Sequence, residues 1–157
     1  MGRRGKADSQ VTKLAKDIHI DASPDAVYDV VTDPDRLGDW VTIQDKLEEA
    51  PNGDLKRGSR LVQQLKVAGR CFRVSWTVKE ADRPSKIVWE GKGPLGTKAK
   101  AVYELEANDD GCRFSYMNEY KLPGGVAGAA VGQALRRVSG HEADKTLKRL
   151  KALIERK

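Results

Sequence analysis

The sequence predicts an α+β fold: an antiparallel sheet of about six or seven strands, two short helices after the first strand, and one long C-terminal helix. Three observations predict it. Between Val41 and Lys121 apolar residues recur almost wholly with period two, the repeat of a strand with one buried face. Short turn signals separate these runs, which makes neighbouring strands hairpin partners and the sheet antiparallel. Beyond Pro123 the repeat changes to helical spacing.

The first element runs from Thr12 to Asp21, with Leu14, Ile18 and Ile20 on one parity. Ser23-Pro24-Asp25 then starts a helix: Ser23 can cap, Pro24 suits the first helical position, and Asp25 favours the positive end of the dipole. That helix carries Val27, Val30 and Val31 and is predicted to stop near Thr32. Asp33-Pro34-Asp35 repeats the start signal, and Gly38 is expected to end a second, very short helix before Trp40.

In the period-two region Leu61, Gln63, Leu65 and Val67 alternate with Val62, Gln64 and Lys66. Phe72, Val74, Trp76 and Val78 alternate with Arg73, Ser75, Thr77 and Lys79, the cleanest strand in the chain. Ile87 and Trp89 flank Val88. Ala99, Ala101, Tyr103 and Leu105 form the next inner row, and Cys112, Phe114, Tyr116, Asn118 and Tyr120 the last. Turns fall at Pro51-Asn52-Gly53-Asp54, Ala68-Gly69, Asp82-Arg83-Pro84, Gly91 to Gly96 and Asn108 to Gly111. One face of the sheet is therefore dry and the other wet.

The last element runs from Pro123 onward, with Val126, Val131, Leu135, Val138, Leu147, Leu150 and Ile154 at helical spacing. Gly124, Gly128, Gly132 and Gly140 share one i,i+4 row, each costing a helix about 1 kcal/mol relative to alanine. Two readings of that row stay open: a hinge at the border of a cavity, or a close approach of helix backbone to sheet. Ser139-Gly140-His141-Glu142 has the form of a capping box, so the helix is expected to kink or restart there.

At 157 residues the chain suits one domain, with 39% hydrophobic and 33% charged residues, a globular balance. Residues 1–10 read as a disordered basic N-terminal arm and 11–157 as the folded domain. No run approaches the roughly 18 apolar residues of a membrane span. No apolar segment follows the basic start, so it does not read as a secretory signal. Cys71 and Cys112 lack metal-type or C-x-x-C spacing and read as ordinary thiols; the expected location is cytoplasmic. The net charge of +6 lies partly in Arg3, Arg4 and Lys6 and partly in the C-terminal tail. Tail charges interleave with Leu147, Leu150, Leu153 and Ile154 as on the solvated face of an amphipathic helix, and no nucleic-acid motif accompanies them.

Most motifs of chemistry are absent. Gly91-Lys92-Gly93-Pro94-Leu95-Gly96 fits G-x-G-x-x-G, but a dinucleotide site must open a helix, and a strand follows here. There is no P-loop, no H-E-x-x-H and no G-x-S-x-G. His19 has the outward parity and His141 reads as a surface residue. No metal site, cofactor or catalytic residue is assigned.

One strand, two small helices, an antiparallel run and a long C-terminal helix is a specific order. It resembles the START-like superfamily, also called helix-grip, Bet v 1-like or SRPBCC, and within it the polyketide cyclase/dehydratase and lipid-transport group. The residues that carry the resemblance are Ile18-His19-Ile20-Asp21-Ala22-Ser23-Pro24-Asp25-Ala26-Val27-Tyr28, Val31-Thr32-Asp33 and Trp40. Pro84 to Glu90 and Gly111-Cys112-Arg113-Phe114 support it, and the likeness spans about residues 11 to 156. The resemblance implies a sheet wrapped around the last helix, with a cavity between them for lipids, polyketides or other apolar molecules. It implies no catalytic motif, because the superfamily shares none.

With such a cavity, the inner-face residues become ligand-binding candidates: Trp40, Gln63, Phe72, Trp76, Trp89, Tyr103, Phe114, Tyr116 and Asn118, with Val131 and Leu135 from the helix. Tyr120 shares their parity. Two functions follow. One is binding, transport or sequestration of an apolar small molecule, including self-protection against a natural product as the resemblance allows. The alternative is a cyclase or dehydratase acting on a polyketide chain. Cyclisation needs a positioned base, and Glu90 and Glu119 have the wet-face parity, so the sequence leans toward the binder. An interaction role like that of the chaperone-activator branch is the weakest reading. The expected partner is an apolar ligand, with no nucleic acid and no membrane span, for a monomer or weak dimer.

Overall fold

The structure is a computed structural model that describes residues 11–51, 53, 55–67, 69–121 and 141–155. The elements are β1 (Val11–Ile20), α1 (Pro24–Val31), α2 (Leu37–Trp40), β2 (Gln44–Glu49), β3 (Arg60–Val67), β4 (Arg70–Asp82), β5 (Lys86–Lys92), β6 (Lys98–Asn108) and β7 (Gly111–Lys121). Residues 141–155 are helical and are called α3. The seven strands form one antiparallel sheet in the order β1-β7-β6-β5-β4-β3-β2. From β2 to β7 each strand pairs with the next in sequence, so the meander follows directly from the short turns. β1 closes the other side of the sheet against β7, with Ile18 opposite Phe114 and Ile20 opposite Cys112. The sheet curls into a half barrel, the helix-grip arrangement.

The start of α1 is built as its sequence predicts. Ser23 Oγ accepts from the Ala26 amide at 3.2 Å, Pro24 opens the helix, and Thr32 caps its end. Asp33 Oδ1 accepts from the Asp35 amide at 3.0 Å and starts a single 3₁₀ turn, Pro34–Arg36. Gly38 corrects an expectation: it lies inside α2 rather than ending it. The helix stops after Trp40, where Val41 turns to extended backbone (φ −80°, ψ 102°). Leu37 and Trp40, one turn apart and both buried, hold that turn by packing, and this outweighs the low helix propensity of glycine.

β2 has no period-two signature of its own. Among Gln44–Glu49 only Leu47 is apolar, and its pairing with β3 shifts register twice. The Gly91–Gly96 run is a hairpin turn. Pro94–Gly96 forms a 3₁₀ turn, and Gly93 donates to the Thr97 carbonyl at 2.9 Å while β6 begins at Lys98. No helix opens there, and the dinucleotide fingerprint is empty of its structural context.

The core lies on the concave face. Ile20, Val27, Val31, Trp40, Val78, Ile87, Cys112, Phe114 and Leu150 are fully buried. α3 turns Leu147 and Leu150 inward and Lys145, Lys148 and Arg149 outward, the amphipathic pattern of its sequence. Polar contacts fix it to the rest. Lys151 Nζ donates to the His19 carbonyl at 2.8 Å, and the Asp21 amide donates to Glu155 Oε2 at 2.8 Å. Glu155 titrates below the ordinary glutamate range because Lys151 and the Asp21 amide both donate to its carboxylate.

Several expectations fall outside the described residues: the basic arm 1–10, the row Gly124, Gly128, Gly132 and Gly140, the capping residue Ser139, and the candidates Val131 and Leu135. Among the described residues no helix is long and apolar enough to cross a membrane.

Candidate functional site

The inner face of the sheet, α2 and α3 enclose a cavity of about 60 Å³. β3 supplies Leu61, Gln63 and Leu65; β4 and β5 supply Trp76 and Trp89. β6 supplies Ala101 and Tyr103, and β7 supplies Tyr116, Asn118 and Tyr120. Leu37, Trp40, Val41 and Ile43 close one end and Thr146 of α3 another. The alternation of each strand puts these side chains on one surface, and cross-strand pairing sets them side by side: Leu61 opposite Trp76, Tyr103 opposite Tyr116, Ala101 opposite Asn118.

Seven of the sequence candidates meet here: Trp40, Gln63, Trp76, Trp89, Tyr103, Tyr116 and Asn118. Phe72 lies elsewhere, in an adjoining chamber of about 50 Å³ with Val74, Gly93, Pro94, Thr97 and Ala99. Ile43, Leu65, Trp76 and Tyr120 line both chambers and form the partition between them. Phe114 lines neither. It is fully buried behind the first chamber, with its ring 5.5 Å from Tyr103 and 6.4 Å from Trp40. Sequence parity also marks Leu61, Leu65, Ala101 and Tyr120, which share rows with the candidates. Leu37 and Thr146 come from helical segments and Val41 and Ile43 from the short stretch before β2, and none of the four was singled out by the sequence.

Trp76 is held in place from three sides. Its Nε1 donates to Gln63 Oε1 at 2.8 Å, and Gln63 Nε2 donates to Gln44 Oε1 at 2.5 Å, a relay from mid-sheet to the edge strand β2. Its ring meets Trp89 edge-on at 6.4 Å. Gly91, its cross-strand partner, leaves room for the indole: a Cβ there would lie 2.7 Å from Trp76 Cε3.

The other two indoles differ. Among the described residues, Trp40 Nε1 and Trp89 Nε1 are buried donors without a hydrogen-bond partner. Such a group costs about 1–3 kcal/mol when left unpaired, and native interiors hold few of them. Both residues line the same cavity.

Three phenols complete the polar set. Tyr103 and Tyr116 stack at 5.9 Å, and Asn118 Nδ2 donates to the Tyr116 hydroxyl. Burial pushes the pKa of Tyr120 up to about 12. Tyr103 and Tyr116 are raised for the same reason, and the neighbouring Tyr120 adds to both. These hydroxyls stay protonated at neutral pH, where they donate. Among the described lining residues there is no carboxylate, histidine or lysine. Glu142, one turn before Thr146, is engaged: Thr42 Oγ1 donates to it at 2.5 Å, and Lys145 Nζ lies at 3.8 Å. The Thr42 amide donates to Thr146 Oγ1 at 3.2 Å, which fastens α3 to the segment before β2. His19 and His141 are away from the cavity. His19 bonds Asp21 at 2.8 Å and Asn108 at 3.2 Å, and His141 is exposed. Among the described residues no group of three or more His, Cys, Asp or Glu side chains is placed to hold a metal.

Known proteins are similar to this chain in fold or in sequence. Zhui aromatase/cyclase from Streptomyces sp. R1128 superposes with a TM-score of 0.77 at 14% identity, covering 93% of this chain and 94% of that one. The uncharacterized protein Rv1546 of Mycobacterium tuberculosis strain H37Rv is 26% identical over 141 residues, 90% of this chain and 96% of its own. The protein named Toxin Rv0910 from the same strain is 26% identical over 132 residues, 80% of this chain and 89% of its own. The model of one family, described as polyketide cyclase / dehydrase and lipid transport, matches residues 11–155. That match takes in every strand and the described part of the last helix, and the chain belongs to this family.

Proposed function

We propose that the protein binds and carries an apolar small molecule bearing carbonyl-type acceptors, a polyketide or an oxygenated lipid. One observation carries the proposal: two buried indole N–H groups, on Trp40 and Trp89, line the cavity and have no partner among the described residues. The phenols of Tyr103, Tyr116 and Tyr120 add donors to the same wall. A ligand carbonyl satisfies an indole donor, and its apolar body takes the surfaces of Leu61, Leu65 and Ala101. Each chamber has room for only a few water-sized volumes, so a larger occupant displaces wall side chains as it enters.

Cyclase or dehydratase chemistry is the second reading, favoured by the phenols grouped at one cavity. They are suited to hold an enolate oxygen, but proton abstraction needs a base, and the described wall supplies none.

The test is a titration of the purified protein with a long-chain methyl ketone and with the alkane of equal length, read by tryptophan emission. Saturable binding with the ketone tighter by several-fold supports the carrier. Equal affinity for both removes the role of the indole donors. Turnover of a poly-keto thioester mimic into a ring product, abolished by Tyr103→Phe, would instead establish the enzyme.

A further inference from the structure

The opposite, solvent-facing side of the sheet carries a charge arrangement that the pocket does not use. Lys92 on β5 pairs with Lys98 on β6, and Lys98 pairs with Lys121 on β7. Three lysines thus stand directly opposite one another across three strands, all exposed. Like charges in that position destabilise a sheet. One row further along, charges alternate as strand pairing favours: Glu90 opposite Lys100 and Lys100 opposite Glu119. Elsewhere on the wet face some cations have carboxylate partners, Arg113 with Asp17 at 2.6 Å and Arg73 with Glu48 at 2.9 Å. No ion pair reaches Lys92, Lys98 or Lys121 among the described residues. They border a broad concave surface of the outer face that also holds Arg60, Lys79, Ser75 and Thr77.

The same hairpin ends in the turn Gly93-Pro94-Leu95-Gly96-Thr97 between Lys92 and Lys98, with Pro94 exposed. Behind the tip, Gly93, Pro94 and Thr97 line the second chamber of the pocket. An exposed proline at a turn flanked by facing lysines matches the interface of an anionic bilayer, where apolar groups enter the headgroup region and lysines reach the phosphates. A duplex nucleic acid offers no apolar layer to such a tip.

We propose that the β5–β6 turn and the Lys92–Lys98–Lys121 row dock the protein on an anionic lipid membrane, with the second chamber facing the bilayer. The docking surface stands apart from the identity of the ligand: ketone binding without vesicles tests the pocket, and vesicle binding without ketone tests this face.

The experiment is flotation with vesicles of phosphatidylcholine alone and with about 30% phosphatidylglycerol, at salt from about 0.05 to 0.5 M. Wild-type protein is expected to float with the anionic vesicles at low salt and to be released at high salt. Each lysine near such a surface is worth about fivefold in binding, so Lys92→Ser with Lys98→Ser and Lys121→Ser lowers the partition about a hundredfold. The control is Lys56→Ser with Lys66→Ser and Lys148→Ser, which removes the same charge from other exposed positions and leaves most of the binding. Pro94→Ser weakens binding with all lysines present. Removing the repelling row also raises the melting temperature, so misfolding does not mimic the loss. Equal binding to neutral and anionic vesicles overturns the proposal, as does an equal loss in patch and control variants. An unaffected Pro94→Ser, or a patch effect seen on duplex DNA and not on vesicles, also overturns it.

Discussion

Replacing Gly91 by alanine tests the packing of the pocket wall most directly. The backbone there has no left-handed strain, so alanine is excluded only by what its methyl group meets. That methyl would lie 2.7, 2.9 and 3.0 Å from Cε3, Cζ3 and Cδ2 of Trp76. Ordinary carbon contacts lie at about 3.5–4.0 Å, so the indole must retreat by about 1 Å. It cannot do so freely, because its Nε1 is bonded to Gln63 at 2.8 Å and Trp89 stands against its ring. Overpacking of this kind costs about 1–3 kcal/mol. Alanine returns about 0.5–1 kcal/mol through lower chain entropy in the unfolded state. The net loss is about 1–2 kcal/mol, or about 3–6 °C in melting temperature for a domain of this size. Thermal unfolding followed by circular dichroism reads it, with tryptophan emission reporting the shifted indole. In a Trp76→Phe background the smaller ring leaves space, and Gly91→Ala becomes neutral or stabilising there. Contact between the two sites thus appears as a coupling of at least about 1 kcal/mol. A wild-type background in which Gly91→Ala melts at the same temperature or higher would refute the reasoning.

Three further outcomes follow from the site. Trp89→Phe removes a buried donor unpaired among the described residues, which offsets part of the cost of the smaller ring, while affinity for the ketone falls several-fold and affinity for the alkane does not; an equal loss for both ligands argues against a hydrogen-bonding role. The phenols of Tyr103, Tyr116 and Tyr120 have pKa values raised above the ordinary 10.0, in Tyr120 to about 12, so their neutral form is favoured by folding. Stability from them is complete below pH 10 and falls as pH climbs through 12, with tyrosinate absorbance lagging that of the unfolded chain; coincident folded and unfolded titrations would contradict their burial. Thr42→Val removes the hydroxyl contacts to Glu142 and Thr146 and leaves the amide bond to Thr146, costing about 1–2 kcal/mol and speeding amide exchange in residues 141–155; unchanged exchange there would show that the Thr42 hydroxyl does not hold α3.

The fold was legible where a buried face alternates with a wet one. Phe72 to Val78 and Cys112 to Tyr120 declare their inner rows, and Ser23-Pro24 declares the start of α1. β2 was not separately legible because an edge strand made of Gln44, Asp45, Lys46, Leu47, Glu48 and Glu49 is stabilised by pairing with β3, not by burial. Gly38 misled because local propensity says nothing of the packing of Trp40 three-dimensionally against Tyr103 and Phe114. For the site, parity gives the face of a side chain and not its depth along the curled sheet. Phe114 and Tyr116 are neighbours in one row, yet Phe114 is sealed in the core and Tyr116 reaches the cavity. The relay Gln44–Gln63–Trp76 joins three strands through one register, which only the folded chain displays.

Two costs in the structure fall on the two faces of one stretch of sheet. On the inner face Trp89 of β5, like Trp40 of α2, holds a donor with no acceptor among the described residues. On the outer face, three residues further along the same strand, Lys92 begins a row of facing lysines that a single glutamate would relieve. Neither feature is needed to form the meander, which Ile87, Val78 and Phe114 already secure by burial. Local rules broken where the fold does not require it mark places kept for binding. The two breaches call for complementary chemistry, an acceptor on an apolar body inside and an anionic surface outside. The strand that carries both leads into the turn at Pro94, which lines the chamber on one side and meets solvent on the other. The proposed carrier, collecting an oxygenated apolar molecule from a membrane, needs those two surfaces joined by a short path, and the β5–β6 hairpin would serve as that path.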